Sequence, residues 1–217
     1  MPTAHESKLF NAVAVTLVEH GITPSALAAR LSSAGAPESL QAAVAAGLCG
    51  LGTVFVGSTE GTAKMLYEAL PPGTQGADLE QIAREVVAGF RARGAIVPGL
   101  GHPLHKPVDP RAYKLLELGR AEPELKGDRI RALETLSKAV DAVAGRPITV
   151  NATGAVAALL GEIGKPINVM RGFAVISRAA GLVAHIVEEQ QSPSGRFIWD
   201  TIEHAIPFVG KKPEGAT

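Results

Sequence analysis

The sequence predicts an all-α fold. Three observations carry that expectation. Apolar residues recur at helical spacing in segment after segment of the 217 residues, prolines and glycines fall between those segments, and no β-prone run is long enough to make a strand. With 46% hydrophobic residues, a chain of this length buries a large core, and its length allows one domain or two.

Residues 9–19 have apolar positions at helical spacing. Thr23 followed by Pro24 is an N-cap with proline at the first helical position, and it opens a helix over residues 25–33. Pro37 opens the next, which runs to about Leu51. A helix over residues 60–70 then ends at Pro71-Pro72-Gly73. Residues 78–93 put Leu79, Ile82, Val86, Val87 and Phe90 on one face. Helices at 111–118 and from 126 or 127 to 143 follow, with a break at Gly145-Arg146-Pro147. Residues 151–163 and 169–190 are so apolar that burial on most sides is expected, and residues 42–52 are expected in the core or a subunit contact. A last helix, 197–205, is expected to anchor itself on the core through Phe197 and Trp199. Ile148-Thr149-Val150 is β-prone but short.

One loop concentrates the chemistry. Residues 98–111 read Pro-Gly-Leu-Gly-His-Pro-Leu-His-Lys-Pro-Val-Asp-Pro-Arg. The glycines permit positive φ and close approach to a ligand, and Pro103, Pro107 and Pro110 prevent a helix through the histidines. An imidazole and a guanidinium on one stiff loop suit a substrate with a carbonyl to polarise and a carboxylate to anchor.

This stretch resembles the citrate synthase superfamily, in particular its short branch of citryl-CoA lyases and the citrate-synthase-like domain of ATP-citrate lyase. The Gly-x-Gly-His of that family appears as Gly99-Leu100-Gly101-His102, and its Asp-Pro-Arg as Asp109-Pro110-Arg111. Glu19-His20-Gly21, the Ala/Gly/Leu-rich residues 42–52 and the run Ser177-Arg178-Ala179-Ala180-Gly181 agree with it in order. The resemblance covers roughly residues 9–210. It implies a helical core formed by residues 1–72 and 144–217, and a small subdomain, residues 73–143, that closes over coenzyme A. It also implies carbon–carbon lyase or synthase chemistry on an acyl-CoA, most simply cleavage of citryl-CoA to acetyl-CoA and oxaloacetate, with two alternatives: a related enzyme acting on a different 2-hydroxyacyl-CoA or keto acid, or a CoA- or carboxylate-binding homologue without turnover.

By the same resemblance, His102 serves the substrate carbonyl or hydroxyl oxygen, and His20, Arg111 and Arg178 bind the acid. Arg196 matches either the arginine that the family borrows from a neighbouring subunit or an exposed surface arginine. Gly99, Gly101, His105 and Lys106 are expected against coenzyme A. The partners expected are a CoA thioester, a di- or tricarboxylate, and a second copy of the chain in a homodimer or higher homo-oligomer. Two positions depart from the family. Phe55 stands where citrate synthases place a loop histidine, as it does in ATP-citrate lyase-like sequences. Thr153, in Asn151-Ala152-Thr153-Gly154, stands where the family has its catalytic aspartate. A threonine hydroxyl is no general base near neutral pH without an activating partner. Glu60 is a candidate substitute, though its first-turn position better suits an exposed carboxylate near the helix dipole.

Composition excludes some classes. The 21 basic and 21 acidic residues cancel, so no electrostatic footprint for nucleic acid is expected. The single cysteine, Cys49, allows no intramolecular disulfide, suits a reducing, cytoplasmic setting, and is expected in the core. No signal peptide, membrane span or metal-ligand spacing is expected. His185 is expected as a core histidine or a partner of Arg178, and Glu188-Glu189 as a solvated helix end.

Overall fold

The computed structural model describes residues 1–54, 56–69, 79–102, 105–207 and 209–210. Among them are ten helices: α1 (Ala4–Leu17), α2 (Pro24–Gly35), α3 (Leu40–Cys49), α4 (Gly57–Ala69), α5 (Leu79–Ala92), α6 (Pro110–Arg120), α7 (Asp128–Ala144), α8 (Ala152–Glu162), α9 (Ile167–Gln191) and α10 (Gly195–Ala205). The all-α expectation holds. Ile148-Thr149-Val150 contributes one isolated antiparallel bridge, Leu100 to Val150. The chain divides into two compact units, residues 1–20 with 50–181 and residues 21–49 with 182–217, the second division falling inside α9. The expected division at 72/73 and 143/144 concerns which segment closes over a ligand and stands as a proposal.

In the larger unit α8 is the central element, with every residue from Gly154 to Leu160 buried. Its run of alanine, glycine, valine and leucine has no polar face, which is the pattern of a helix enclosed all round. The helices α4, α6 and α7 pack on it, and α5 packs on α7. Leu9, Val13, Leu66, Leu115, Leu133, Leu136 and Met170 complete this core.

The smaller unit has its own small core of Ala29, Ala43, Leu182 and Ile186. Of the two expectations for α3, core or subunit contact, the first fails within the chain and the second stands as a proposal. Its buried residues are Ala43 and Gly47, which form one narrow stripe, and Cys49 at its end is exposed rather than in the core. Pro37 lies in a turn, and α3 begins only at Leu40. Phe197 and Trp199 do not anchor α10 on a core; they are 73% and 60% exposed, because the helix makes its buried contact through Gly195.

The 25 residues of α9 are long and apolar enough to cross a membrane, contrary to expectation. One side of the helix is buried and bonded within the protein: Ser177 donates to Ala14 O, Arg178 to Leu17 O, and Glu189 accepts from Arg30. Ile176, Val183 and Val187 on its other side are exposed, so burial is one-sided.

That smaller unit holds a buried polar network that the sequence reading did not see. Arg30, 3% exposed, donates to Glu189 at 3.1 Å, to His185 Nδ1 at 2.9 Å, and to Glu188. Glu189 is 5% exposed rather than solvated. It caps α10, accepting from the backbone N–H groups of Ser194 (2.7 Å) and Gly195 (2.6 Å) and from the Ser194 hydroxyl. His185, 6% exposed, is thus a buried histidine, and it partners Arg30. Burial pushes the Glu189 carboxyl up, but the bonds from Ser194, Gly195 and Arg30 outweigh it and hold it below the ordinary carboxylate range.

Candidate active site

The loop before α6 is mounted on the start of α8. Gly99 and Gly101 have φ of 82° and 87°, the left-handed region that glycine tolerates. Gly99 O accepts from Asn151 N at 3.0 Å, and Gly101 N donates to Thr149 O at 2.6 Å. Asn151 Nδ2 adds a bond to Gly101 O at 2.9 Å. A Cβ on Gly99 would lie 2.5 Å from Thr62 Oγ1 and 2.9 Å from Gly154 Cα, and one on Gly154 would run into Gly99 O. The two backbones touch, so both positions need glycine. Gly99 O and Gly101 N are thus engaged in mounting the loop. Of the four residues expected against coenzyme A, His105 is half-buried and Lys106 presents an exposed cation.

This mounting sets His102 beside Arg111. Asp109, fully buried, N-caps α6 and grips the Arg111 guanidinium with both oxygens, Nε to Oδ1 at 3.0 Å and Nη2 to Oδ2 at 2.8 Å. Burial pushes the Asp109 carboxyl up, but the bonds and charge of Arg111 prevail and lower it overall. Arg111 Nη2 lies 3.2 Å from His102 Nε2. His102 Nδ1 accepts the backbone N–H of His105 at 3.0 Å. Both ring nitrogens thus face donors, the His105 N–H and the Arg111 guanidinium, and a neutral ring, with its single N–H, accepts from only one of them at a time. The imidazole and the guanidinium stand side by side at one edge, an arrangement suited to a ligand oxygen.

Burial is the largest influence lowering the His102 pKa, with His105, Arg111 and His20 adding to it and Asp109 opposing. Activity that needs the neutral ring is therefore expected to persist as pH falls through the ordinary histidine value and to fail only below it. A kcat/KM profile with its acid limb at or above that value would contradict this.

His20 and His105 join the cluster. The His20 ring lies nearly parallel to His102 with centroids 6.3 Å apart, and His105 tilts against it at 4.6 Å. Arg178 is held elsewhere in the same unit. It is 7% exposed and donates to Leu17 O at 3.3–3.4 Å, close to the chain leading to His20. Burial lowers its pKa and Glu19 opposes that shift. Next to it, a Cβ on Gly181 would overlap Val18 O, so α9 and the end of α1 meet at a glycine. Arg196 lies in the smaller unit, exposed, paired with Asp200 at 3.0 Å and stacked 4.7 Å over Trp199. Phe55 lies outside the described residues. Glu60 sits in the first turn of α4 and pairs with Arg171.

At Thr153 the side chain is half-buried. It donates to Asn151 Oδ1 at 2.7 Å and accepts from Ser58 Oγ at 2.9 Å. Ser58 and Asp109 were not among the candidates. The Asp109 N-cap was legible in Asp-Pro-Arg, whereas nothing in the spacing from 58 to 153 marks the hydroxyl contact. Among the described residues no group of three His, Cys, Asp or Glu is placed to hold a metal ion.

Val56, just before α4, has φ 77°, the left-handed region, although valine is β-branched. In the resembling loop Gly-x-x-His-Gly this position is glycine. Val56→Gly is expected to stabilise the protein by about 1 kcal/mol, the strain relieved less the added chain entropy. A fall in melting temperature would refute that.

Comparison with known proteins agrees. The family described as the citrate synthase C-terminal domain matches residues 1–199. The solved citryl-CoA lyase of Hydrogenobacter thermophilus is 29% identical with a TM-score of 0.85, over 100% of this chain and 82% of that one. A putative citrate synthase 2 of Mycobacterium tuberculosis is 29% identical over 88% of this chain and 49% of its own length. ATP-citrate synthase subunit 1 of Sordaria macrospora is 24% identical over 94% of this chain. The chain spans 32% of that subunit, about a third of its length. With the family match running through almost the whole sequence, the chain belongs to the citrate synthase family.

Proposed function

We propose that the protein makes or breaks a carbon–carbon bond in an acyl-CoA, most simply cleaving citryl-CoA to acetyl-CoA and oxaloacetate. The observation that carries this reading is the pairing of the His102 imidazole with the Asp109-gripped Arg111 guanidinium, Nε2 to Nη2 at 3.2 Å. In cleavage the tertiary hydroxyl oxygen of the substrate becomes a carbonyl and carries charge on the way. The fixed guanidinium and the imidazole beside it meet that charge without reorganising. Arg111 and Arg178 bind the carboxylates, with His20 beside them. Lys106 and His105 face the phosphates of coenzyme A. Residues 73–143 close over the thioester, Arg196 serves a neighbouring copy, and the protein works as a cytoplasmic homo-oligomer. The relatives support the reading: the Hydrogenobacter thermophilus protein is a citryl-CoA lyase.

The test is product analysis across a panel of hydroxyacyl-CoA thioesters. Citryl-CoA is expected to give acetyl-CoA and oxaloacetate. Arg111→Lys, which cannot hold two acceptors in one plane, is expected to weaken oxaloacetate binding roughly tenfold or more by calorimetry. Unchanged affinity would remove Arg111 from the site. Thr153 favours a second reading, a CoA- or carboxylate-binding homologue without turnover. Binding of both ligands with no product from any thioester would establish it.

A further inference from the structure

The three polar groups at the start of α8 form a chain with a fixed direction. The Asn151 amide is oriented from both ends, because Nδ2 donates to Gly101 O and Oδ1 accepts the Gly154 N–H at 3.0 Å. An amide oxygen only accepts, so the Thr153 hydroxyl proton points to it, and the Ser58 proton in turn points to Thr153 Oγ1. Ser58 lies in the first turn of α4, where its carbonyl accepts from Thr62 Oγ1 at 2.7 Å. The neighbouring Thr59 is 1% exposed, and its Oγ1 has no hydrogen-bond partner. The strained Val56 stands two residues before Ser58. The first turn of α4 thus brings a hydroxyl to Thr153.

We infer that Ser58 is a positioning residue for Thr153 that renews its proton when the acetyl carbon is protonated. The inference rests on the lyase reading above. In the step, the tertiary hydroxyl of citryl-CoA releases its proton to solvent at the His102–Arg111 edge. The carbon–carbon bond breaks, and its electron pair passes to the CH2 carbon of the departing thioester enolate. The Thr153 hydroxyl turns from Asn151 Oδ1 to that carbon and gives it the proton, Thr153 takes the Ser58 proton, and Ser58 takes one from water. The hydroxide left behind combines with the proton released first. Nothing is consumed: one proton has moved from oxygen to carbon. Without Ser58, a Thr153 oxygen that had given up its proton would face only the acceptor Asn151 Oδ1.

The test compares Ser58→Ala, Ser58→Thr, Thr153→Asp and the double variant Ser58→Ala/Thr153→Asp in citryl-CoA cleavage, with melting temperature as the check on folding. Ser58→Ala is expected to lower kcat about 100-fold with KM unchanged, the lower end of acid–base contributions, and Ser58→Thr to recover most of it. The same Ser58→Ala change is expected to cost the Thr153→Asp enzyme at least tenfold less, because a carboxylate exchanges its own proton. An equal loss in both backgrounds would make Ser58 structural and overturn the inference while leaving the lyase reading intact. An unchanged kcat in Ser58→Ala would do the same. No cleavage by wild type or Thr153→Asp would overturn the lyase reading and the inference with it.

Discussion

His102→Ala is expected to lower turnover of the true substrate by about 10²–10⁴-fold while the protein still folds. The ring is held by the His105 N–H and sits beside Arg111, on a loop mounted through backbone bonds from Gly99 and Gly101. Removing the side chain leaves those backbone bonds in place, so the loss falls on the chemistry. In the reaction proposed, His102 donates to the substrate oxygen, so His102→Gln, which can present an amide N–H, is expected to be more active than His102→Ala. Full activity in His102→Ala, or equal loss in both variants, would reject the donor role.

Glu189→Ala is expected to cost about 1–3 kcal/mol of stability, the cost of leaving buried donors without one of their acceptors. The guanidinium of Arg30 is 4% exposed and loses one of its two carboxylates, and α10 loses its cap at Ser194 and Gly195. The chain's one tryptophan, Trp199, lies on α10 and reports the event by fluorescence during denaturant unfolding. The same stability is present above the ordinary carboxylate range and is lost as pH falls through the lowered Glu189 pKa. A change below 1 kcal/mol would mean the network is not what holds α10.

The helices were legible because their signals are local. The Asn151 cap of α8, the Asp109-Pro110 start of α6 and the apolar face of α5 are each written within four or five residues. Burial was less legible, because it depends on what packs opposite. Residues 42–52 read as core or subunit contact, and within the chain α3 meets its neighbours along a single stripe. Phe197 and Trp199 read as anchors, yet the contact of α10 runs through Gly195. In the site, the loop residues and His20 were legible from their order along the chain. Ser58 was not: a serine at a helix start has many ordinary uses, and its approach to Thr153 spans 95 residues. Glu189 was missed for a related reason. A Glu-Glu pair at a helix end looks solvated until the next helix turns back to be capped by it.

The touching backbones of Gly99 and Gly154 bear on how such a site changes over time. Placement of the His102 loop against the start of α8 is fixed by main-chain atoms and by the amide of Asn151. The side chain at 153 touches that joint only at Asn151 Oδ1, which the Gly154 N–H also holds. The reactive group there is therefore interchangeable, like a tool in a fixed holder. A lineage can exchange a carboxylate for a hydroxyl, and back again, without re-siting the histidine or the arginine. The holder itself is intolerant of change: a side chain at either glycine would part the two segments, and Gly99→Ala would undo in one step what a swap at Thr153 leaves standing.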